Sequence, residues 1–345
     1  MCAKKKNVVM KKLPKANIDF GDLYRMVVAP TRLRLLLTGI ELKVFNHLSE
    51  PTSADAVAQA MGTHPNNTKV FLDGLSAMDL LQKKDGLYRN SPVAQSYLVE
   101  GSPTYMGASL RMQSDMSTSP ENLLKLIREG PPPTPETAFC EEAFVQIAAV
   151  SASGELAYDA QAVVDIVSGL PEFPSFSRML DLGGGPGLIG MAVVAAHPSM
   201  EGVVFDLPSV VKVAESFIEE YGMGDRVKVL GGDGFRDSIG EGYDLVLACS
   251  SLQFCKDELD GVVKKVFDTL NPGGVFVSYF TGLTHEGTKP EIHVLSSLLM
   301  ALAGHDMGYD QGFVADSMLR AGFRSVRSRT LTTPWGPIDV DVARK

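Results

Sequence analysis

Three aspartates, Asp181, Asp206 and Asp233, each close or follow a short apolar run, and glycines crowd the turns beside two of them, in "MLDLGGGPGLIG" (Met179 to Gly190) and "VLGGDGF". Glycines after a first strand let a ligand approach the backbone closely, and the helix behind them presents free amide donors. A dinucleotide fingerprint can be read from Gly185, Gly187 and Gly190, so a nicotinamide-dependent oxidoreductase is one chemistry that the turn admits. Asp181, at the strand end, would repel a diphosphate but attract a cationic amino-acid moiety. Asp206, ending "VVFDLP", stands at about the 20-residue separation expected of a carboxylate that takes both ribose hydroxyls. Asp233 can accept from an adenine amine while Phe235 covers the base. An adenosine ligand bearing an ammonium and a sulfonium, S-adenosylmethionine (SAM), meets all three.

These residues need strand ends to hold them. From Met179 onward the runs "RMLDL", "GVVFDL", "RVKVL", "YDLVLA" and "GGVFVSYF" alternate with helix-length segments, which is the pattern of a parallel sheet with helices on both faces. Ligands of such sheets sit at the carboxyl ends of the strands. Toward the amino terminus, Leu33, Leu36, Leu37, Ile40, Val44 and Leu48 fall at helical spacing and predict an amphipathic helix from Thr31 to Leu48. A second helix runs from a Ser53 cap to Gly62, and a third carries Val70, Phe71, Leu75, Met78 and Leu81. Asp85 and Gly86 then mark a hairpin, completing a winged-helix pattern. Its third helix offers Lys69, Asn66 and Asn67 but also Asp73 and Asp79, a poor set for reading DNA, so dimerisation or domain support is the better assignment. Between these regions lie further helices broken by "EGPPPTPE", with a methionine- and serine-containing stretch "SLRMQSDM" that could line a flexible apolar pocket.

Composition agrees. The 345 residues are 45% hydrophobic and 21% charged, ordinary for a globular chain, and the formal charge of -9 argues against a nucleic-acid partner. Cys2, Cys140, Cys249 and Cys255 have neither disulfide-framework nor metal-ligand spacing, so reduced thiols, no metal and a cytoplasmic location are expected. No apolar run suffices for a secretory core or a membrane span. The lysines from Lys4 to Lys15 read as a solvated terminus.

In order and content, "DLGGGPG", "FDLPSVV", "RVKVLGGDGF", "YDLVLACSSLQF" and "LNPGGVFV" resemble the class I SAM-dependent methyltransferases, and within them the two-domain small-molecule O-methyltransferases. The resemblance covers most of the chain and implies an α/β architecture: a winged-helix dimerisation domain at residues 17–101, a helical linker and acceptor-pocket segment at 102–175, and a Rossmann-like SAM-binding domain at 176–345. It implies a homodimer that takes a small-molecule acceptor and releases S-adenosylhomocysteine, with no nucleic-acid or membrane partner. Cofactor contacts are expected at Asp181, Gly183, Gly185, Asp206 and Leu207, and at Asp233, Gly234, Phe235 and Cys249. Arg111, Met112, Met300 and Tyr309 are the expected acceptor contacts.

The family pattern breaks at its base. Relatives carry a histidine shortly after the fourth strand, and ungapped alignment of "YDLVLACSSLQFCKDE" puts Gln253 there, with Cys249 where many have lysine. An amide cannot be a general base near neutral pH. A base could come instead from His305 in "AGHDMGYD" or from His293, keeping conventional O-methylation. The sharper expectation is an acceptor atom with no proton to lose, a thioether sulfur or a tertiary or aromatic nitrogen. The resemblance extends to S-methyltransferases that act on 4-methylthio-2-hydroxybutyrate on the route to dimethylsulfoniopropionate, whose carboxylate would need a cation such as Arg111. A SAM-binding regulator without turnover is the third alternative.

Overall fold

The structure, a computed structural model, describes residues 15, 18–115, 120–132, 140–234 and 236–345. The chain divides into two compact units that meet in sequence between Glu100 and Gly101.

In the first unit, helix α1 spans Gly21–Glu41. It starts earlier than its apolar spacing suggests, and just ahead of its first turn the exposed Asp19 carboxylate accepts from the Gly21 amide at 2.9 Å. It also stops earlier, since Lys43 adopts a left-handed conformation (φ 50°) and the chain turns into a short 3₁₀ segment, Val44–His47. Val44 and Leu48 are still fully buried, but from this turn and not from a continuous helix. Strand β1 (Thr52–Ser53) leads into α2 (Ala54–Met61), where Ser53 accepts from the Ala56 amide and Gly62 ends the helix in the left-handed region. Helix α3 (Pro65–Ala77) buries Leu72 and Leu75, whereas Val70, one of the apolar residues read on this helix, is 70% exposed, and Leu81 already belongs to the next strand. Strands β2 (Leu81–Lys84) and β3 (Leu87–Asn90) pair through a turn whose Asp85 and Gly86 both have positive φ, the two-residue hairpin favoured by strand twist. With β1 they form a three-stranded wing, and α4 (Pro92–Tyr97) follows.

The second unit begins with α5 (Gly107–Asp115), α6 (Pro120–Glu129) and α7 (Glu141–Gly154). A π-helical turn, Glu155–Asp159, joins α7 directly to α8 (Ala160–Ser168). Then come β4 (Arg178–Leu182), α9 (Leu188–Ala195), β5 (Glu201–Asp206), α10 (Val211–Glu220), β6 (Val227–Gly231), β7 (Tyr243–Cys249), α11 (Leu259–Thr269) and β8 (Leu270–Phe280). After β9 (Gly282–Leu283), α12 (Glu291–Leu302), β10 (Tyr309–Asp310) and α13 (Phe313–Ala321), the long strands β11 (Ser325–Thr333) and β12 (Gly336–Arg344) end the chain. The main sheet runs β11-β12-β8-β7-β4-β5-β6. Its β8-to-β6 part is parallel, as the apolar runs predict, and β12 and β11 extend it antiparallel at one edge. Successive residues face opposite cores: Met179, Leu245 and Val277 join one cluster, Leu180, Val246 and Phe276 the other. Burial on both faces is why these strands read as unbroken apolar runs. The chain turns outward from β4 through β5 to β6 and returns to place β7 on the other side of β4, so the crevice beside β4 is the switch point of the fold. No helix among the described residues is long and apolar enough to cross a membrane.

Candidate functional site

The glycine turn behind β4 binds itself before it binds anything else. Gly183 and Gly184 donate to the Phe205 carbonyl at 2.8 and 3.2 Å, Gly187 to the Gly184 carbonyl at 2.8 Å, Gly185 to Asp206 Oδ2 at 2.8 Å and Gly190 to Asp181 Oδ2 at 3.0 Å. The free amide donors expected of this turn are therefore largely spent, and it offers no row of N–H groups to a diphosphate. Three glycines, Gly183, Gly184 and Gly190, are sterically required. A Cβ on Gly183 (φ 68°) would lie 2.5 Å from Ser251 Cβ, and one on Gly190 would lie 2.7 Å from Asp181 Oδ2.

A cavity of about 430 Å³ opens over these strand ends, within the roughly 300–1,000 Å³ of small-molecule sites. Asp181, Gly183, Gly185, Asp206, Leu207, Asp233, Gly234, Cys249 and Gln253 all line it, while Phe235 lies outside the described residues. Asp181 is 1% exposed; burial, with the Asp206 charge adding, lifts its carboxyl to about 7 against the Gly190 hydrogen bond. Burial also raises Asp206, although the Gly185 and Leu207 amides donate to it. Asp233 is set by its own amide donating to Asp237 Oδ2 at 2.9 Å, and its carboxylate lies 3.7 Å from Arg236 Nε. Burial and the surrounding carboxylates push the Cys249 thiol well up, so it is neither thiolate nor base.

Toward the other end of the cavity the wall changes to Leu252, Gln253, Phe254 and Cys255, with Phe144 and Ile147 of α7 opposite. Ser250 holds a left-handed conformation (φ 51°) at the end of β7, a strained position of the kind that clusters at functional sites. Next to it, the Ser251 hydroxyl donates to the Leu182 carbonyl at 2.7 Å, tying the ends of β7 and β4 together. Phe254 meets Phe144 edge-to-face at 5.1 Å. The Cys255 thiol donates to the Leu252 carbonyl and burial lifts it to about 11.

Six expected site residues do not line this cavity. Tyr309 is a core residue: it is 1% exposed, its hydroxyl donates to the Leu252 carbonyl at 2.8 Å, and its ring packs with Phe280 and Phe313. His293, on α12, has Nε2 3.0 Å from the Pro337 carbonyl oxygen, and burial lowers its pKa. His305 follows α12, half-buried, with its amide bonded to the Met300 carbonyl. Arg111 and Met112 sit on α5, Arg111 exposed, and Met300 sits half-buried on α12. Their sequence context suggested an adaptable apolar pocket, and among the described residues they lie outside the lining of this cavity.

Among the residues that were not anticipated, one group comes from α7 and the π turn: Phe144, Ile147, Ala148, Ser151 and Glu155 line the cavity. The available signal was "SGELAYDAQ", two acids four apart within an otherwise apolar helical stretch. Glu155 is raised well above its ordinary range by burial, with Asp181 and Asp159 adding to the shift. Asp159, one turn on, accepts from the Tyr279 hydroxyl at 2.9 Å and the Trp335 indole at 3.1 Å. Among the described residues, no group of three or more His, Cys, Asp or Glu is placed to hold a metal.

Residues 153–324 match the O-methyltransferase domain and residues 32–100 the O-methyltransferase dimerisation domain. The 8-O-methyltransferase TcmO of tetracenomycin polyketide synthesis in Streptomyces glaucescens is 26% identical over 333 residues, covering 94% of this chain and 96% of that protein. The N,N-dimethyltransferase OxyT of Streptomyces rimosus is 27% identical over 268 residues, covering 75% of this chain and 77% of its own. Human N-acetylserotonin methyltransferase, solved in complex with SAM, superimposes with a TM-score of 0.78 at 23% identity, covering 96% of this chain and 99% of that one. The two domain matches together span more than two thirds of the sequence, in the order that the glycine turn and the wing led us to expect. This chain belongs to the two-domain O-methyltransferase family and is a SAM-dependent methyltransferase.

Proposed function

We propose that the enzyme methylates a small molecule at an atom with no proton to lose, a thioether sulfur or a tertiary or aromatic nitrogen. One observation carries this reading: none of the six histidines lines the cavity, and Gln253, the residue at which the family resemblance implies a histidine base, stands in its wall. The neighbouring thiols do not replace it, because burial keeps Cys249 and Cys255 protonated. With such an acceptor the protein has only to align the nucleophile with the methyl group and exclude water. Leu252, Phe254, Phe144 and Ile147 supply the apolar walls for that, and Gln253 supplies an amide to orient the acceptor.

The residues suit the cofactor. Asp206 has a lone pair left on each oxygen for ribose hydroxyls, Asp233 stands at the next strand end for the adenine, and Asp181 adds a carboxyl to the same wall on the side of the cation. Bound there, SAM supplies the methyl group. Transfer to a neutral sulfur or nitrogen carries positive charge from cofactor to product within a wall of carboxylates, which a cavity without cationic residues favours. The same wall narrows the substrate. It holds no lysine or arginine among the described residues, so an uncharged or cationic acceptor fits it better than 4-methylthio-2-hydroxybutyrate with its carboxylate. The names of OxyT and TcmO, one an N- and one an O-methyltransferase, support a scaffold that serves different acceptor atoms.

The test is product formation from methyl-labelled SAM with panels of thioethers, tertiary amines and phenols between pH 6 and 9. Transfer to a thioether or amine at a rate nearly flat with pH is expected. Transfer only to phenols, rising with pH, would overturn the reading and return His305 to consideration. Homodimerisation through the first unit belongs to the same proposal; it is supported by the exposed apolar residues Leu23, Tyr24, Met26 and Val27 of α1 and by the dimerisation-domain match.

A further inference from the structure

Two phenylalanines of the cavity wall meet without being closed into a core. Phe144 and Phe254 both line the cavity, with ring planes at 82° and centroids 5.1 Å apart, and both side chains are only partly buried. Phe173 with Phe176 and Phe280 with Tyr309 also meet edge-to-face, but every ring of those two pairs is buried. Different elements bring the cavity pair together. On α7, Phe144, Ile147, Ala148 and Ser151 fall at i, i+3, i+4 and i+7, so one face of the helix is given to the cavity. Phe254 lies in the 3₁₀ segment Leu252–Glu258 that follows β7, one residue before a kink at Cys255 (φ -122°, ψ 29°). Two rings near a right angle make a corner, and the negative faces of their π systems suit a cation there.

No formal charge stands beside that corner to do the same work. Its neighbours in the wall are Leu252, Gln253, Cys255 and Ile147, and burial lifts the Cys255 thiol to about 11, so it is uncharged near neutral pH. The carboxyls of the wall belong to the ends of β4, β5 and β6 and to the π turn, and among the described residues no lysine, arginine or histidine lines the cavity. A cation formed at this end therefore meets neither a repelling charge nor an ion-pair partner.

The reaction proposed above forms such a cation. The acceptor's lone pair takes the methyl group, the carbon–sulfur bond that breaks returns its electron pair to the cofactor's sulfur, and no proton moves. Positive charge passes from the cofactor to the acceptor atom, and a group that meets the charge only as it develops favours the transition state.

We propose that Phe144 and Phe254 form a cation-π seat for the methylated acceptor atom, so that the site holds an onium product more tightly than its neutral precursor. The inference rests on the acceptor reading above and adds the two rings to it.

Choline and 3,3-dimethylbutan-1-ol test it, since they share one shape and differ by exchange of the cationic nitrogen for carbon. Each is titrated by calorimetry into the full chain saturated with S-adenosylhomocysteine, which fills the cofactor end. Choline should bind roughly fivefold to thirtyfold more tightly than its isostere. Phe144→Leu and Phe254→Leu should each bring that ratio toward one. The ratio is read because a general loss of cavity shape weakens both probes together, and the comparison on the unsubstituted protein needs no variant. Equal affinities, or binding of neither probe, would overturn the proposal. So would a choline preference that survives both substitutions, since it would come from the carboxylates. These results remove the seat and leave the acceptor reading intact, whereas transfer only to phenols in the labelled-SAM panel would remove the acceptor reading, and the seat's onium product with it.

Discussion

Asp73 in the first unit and Asp181 in the second are the same residue in opposite circumstances. Asp73 accepts from Lys83, from the Tyr88 hydroxyl at 2.7 Å and from Lys69 at 3.2 Å, and these donors, Lys83 foremost, hold its carboxyl well below the usual range. Asp181 has a single amide donor, a partnerless second oxygen and a carboxyl lifted to about 7. The first unit satisfies this acid from within, and even Lys69, the lysine that might have faced DNA, is drawn into the network. The second leaves Asp181 Oδ1 and Glu155 Oε2 buried without a partner. An acid satisfied from within belongs to the architecture; an unsatisfied acid in a cavity marks what the cavity takes.

The contrast breaks most severely if Asp181 is displaced. Gly190→Ala places a methyl 2.7 Å from Asp181 Oδ2 and 3.0 Å from its Cβ, in a fully packed region. Overpacking of this kind costs about 1–3 kcal/mol of stability, and S-adenosylhomocysteine binding should become undetectable by calorimetry. Affinity close to that of the unsubstituted enzyme would mean that Asp181 does not contribute to binding.

Asp181→Asn sharpens the comparison through pH. Because the folded-state pKa lies above the unfolded value of about 3.9, the folded protein binds the proton more tightly. Asp181 therefore favours folding at low pH, and that contribution is lost as pH rises through about 7. Asparagine keeps an acceptor for the Gly190 amide and has no such dependence. Urea unfolding without ligand should show the variant gaining on the wild type between pH 5 and 8, by about 2–3 kcal/mol. Parallel stability curves would show that Asp181 is not the buried acid described above.

The sequence displays the satisfied and unsatisfied acids unequally. Asp181, Asp206 and Asp233 stand out because each interrupts or ends a run of Val, Leu and Phe, where a charge needs a reason. Glu155 does not stand out, because a glutamate in a helical stretch is ordinarily a solvated face; only the π turn and its packing against α9 bring it to the cavity. Tyr309 errs in the other direction. Its neighbours His305, Asp306 and Asp310 make "AGHDMGYD" look like a polar cluster, yet the ring alone turns into the core. The parallel strands were visible as apolar runs, whereas β11, "SVRSRTLTT", lies at the sheet edge and is largely exposed, so no such run announces it. Residues that act within one strand end are readable from pattern; residues gathered by helix packing are not.

The smallest effect is expected at Asp73, and it tests the other half of the comparison. Its side chain is 37% exposed, so the Lys69 and Lys83 pairs are screened and contribute little. Tyr88 is different, since its ring is 1% exposed and its hydroxyl donates to Asp73. Asp73→Ala therefore costs mainly that hydrogen bond, about 1 kcal/mol in thermal or urea unfolding, and Tyr88→Phe in the Asp73→Ala background should cost almost nothing further. S-adenosylhomocysteine affinity should be unchanged in both variants, because the network closes within the first unit. If Asp73→Ala instead weakened the ligand as strongly as substitution at Asp181, the two acids would not divide between architecture and binding, and the distinction drawn from their partners would fail.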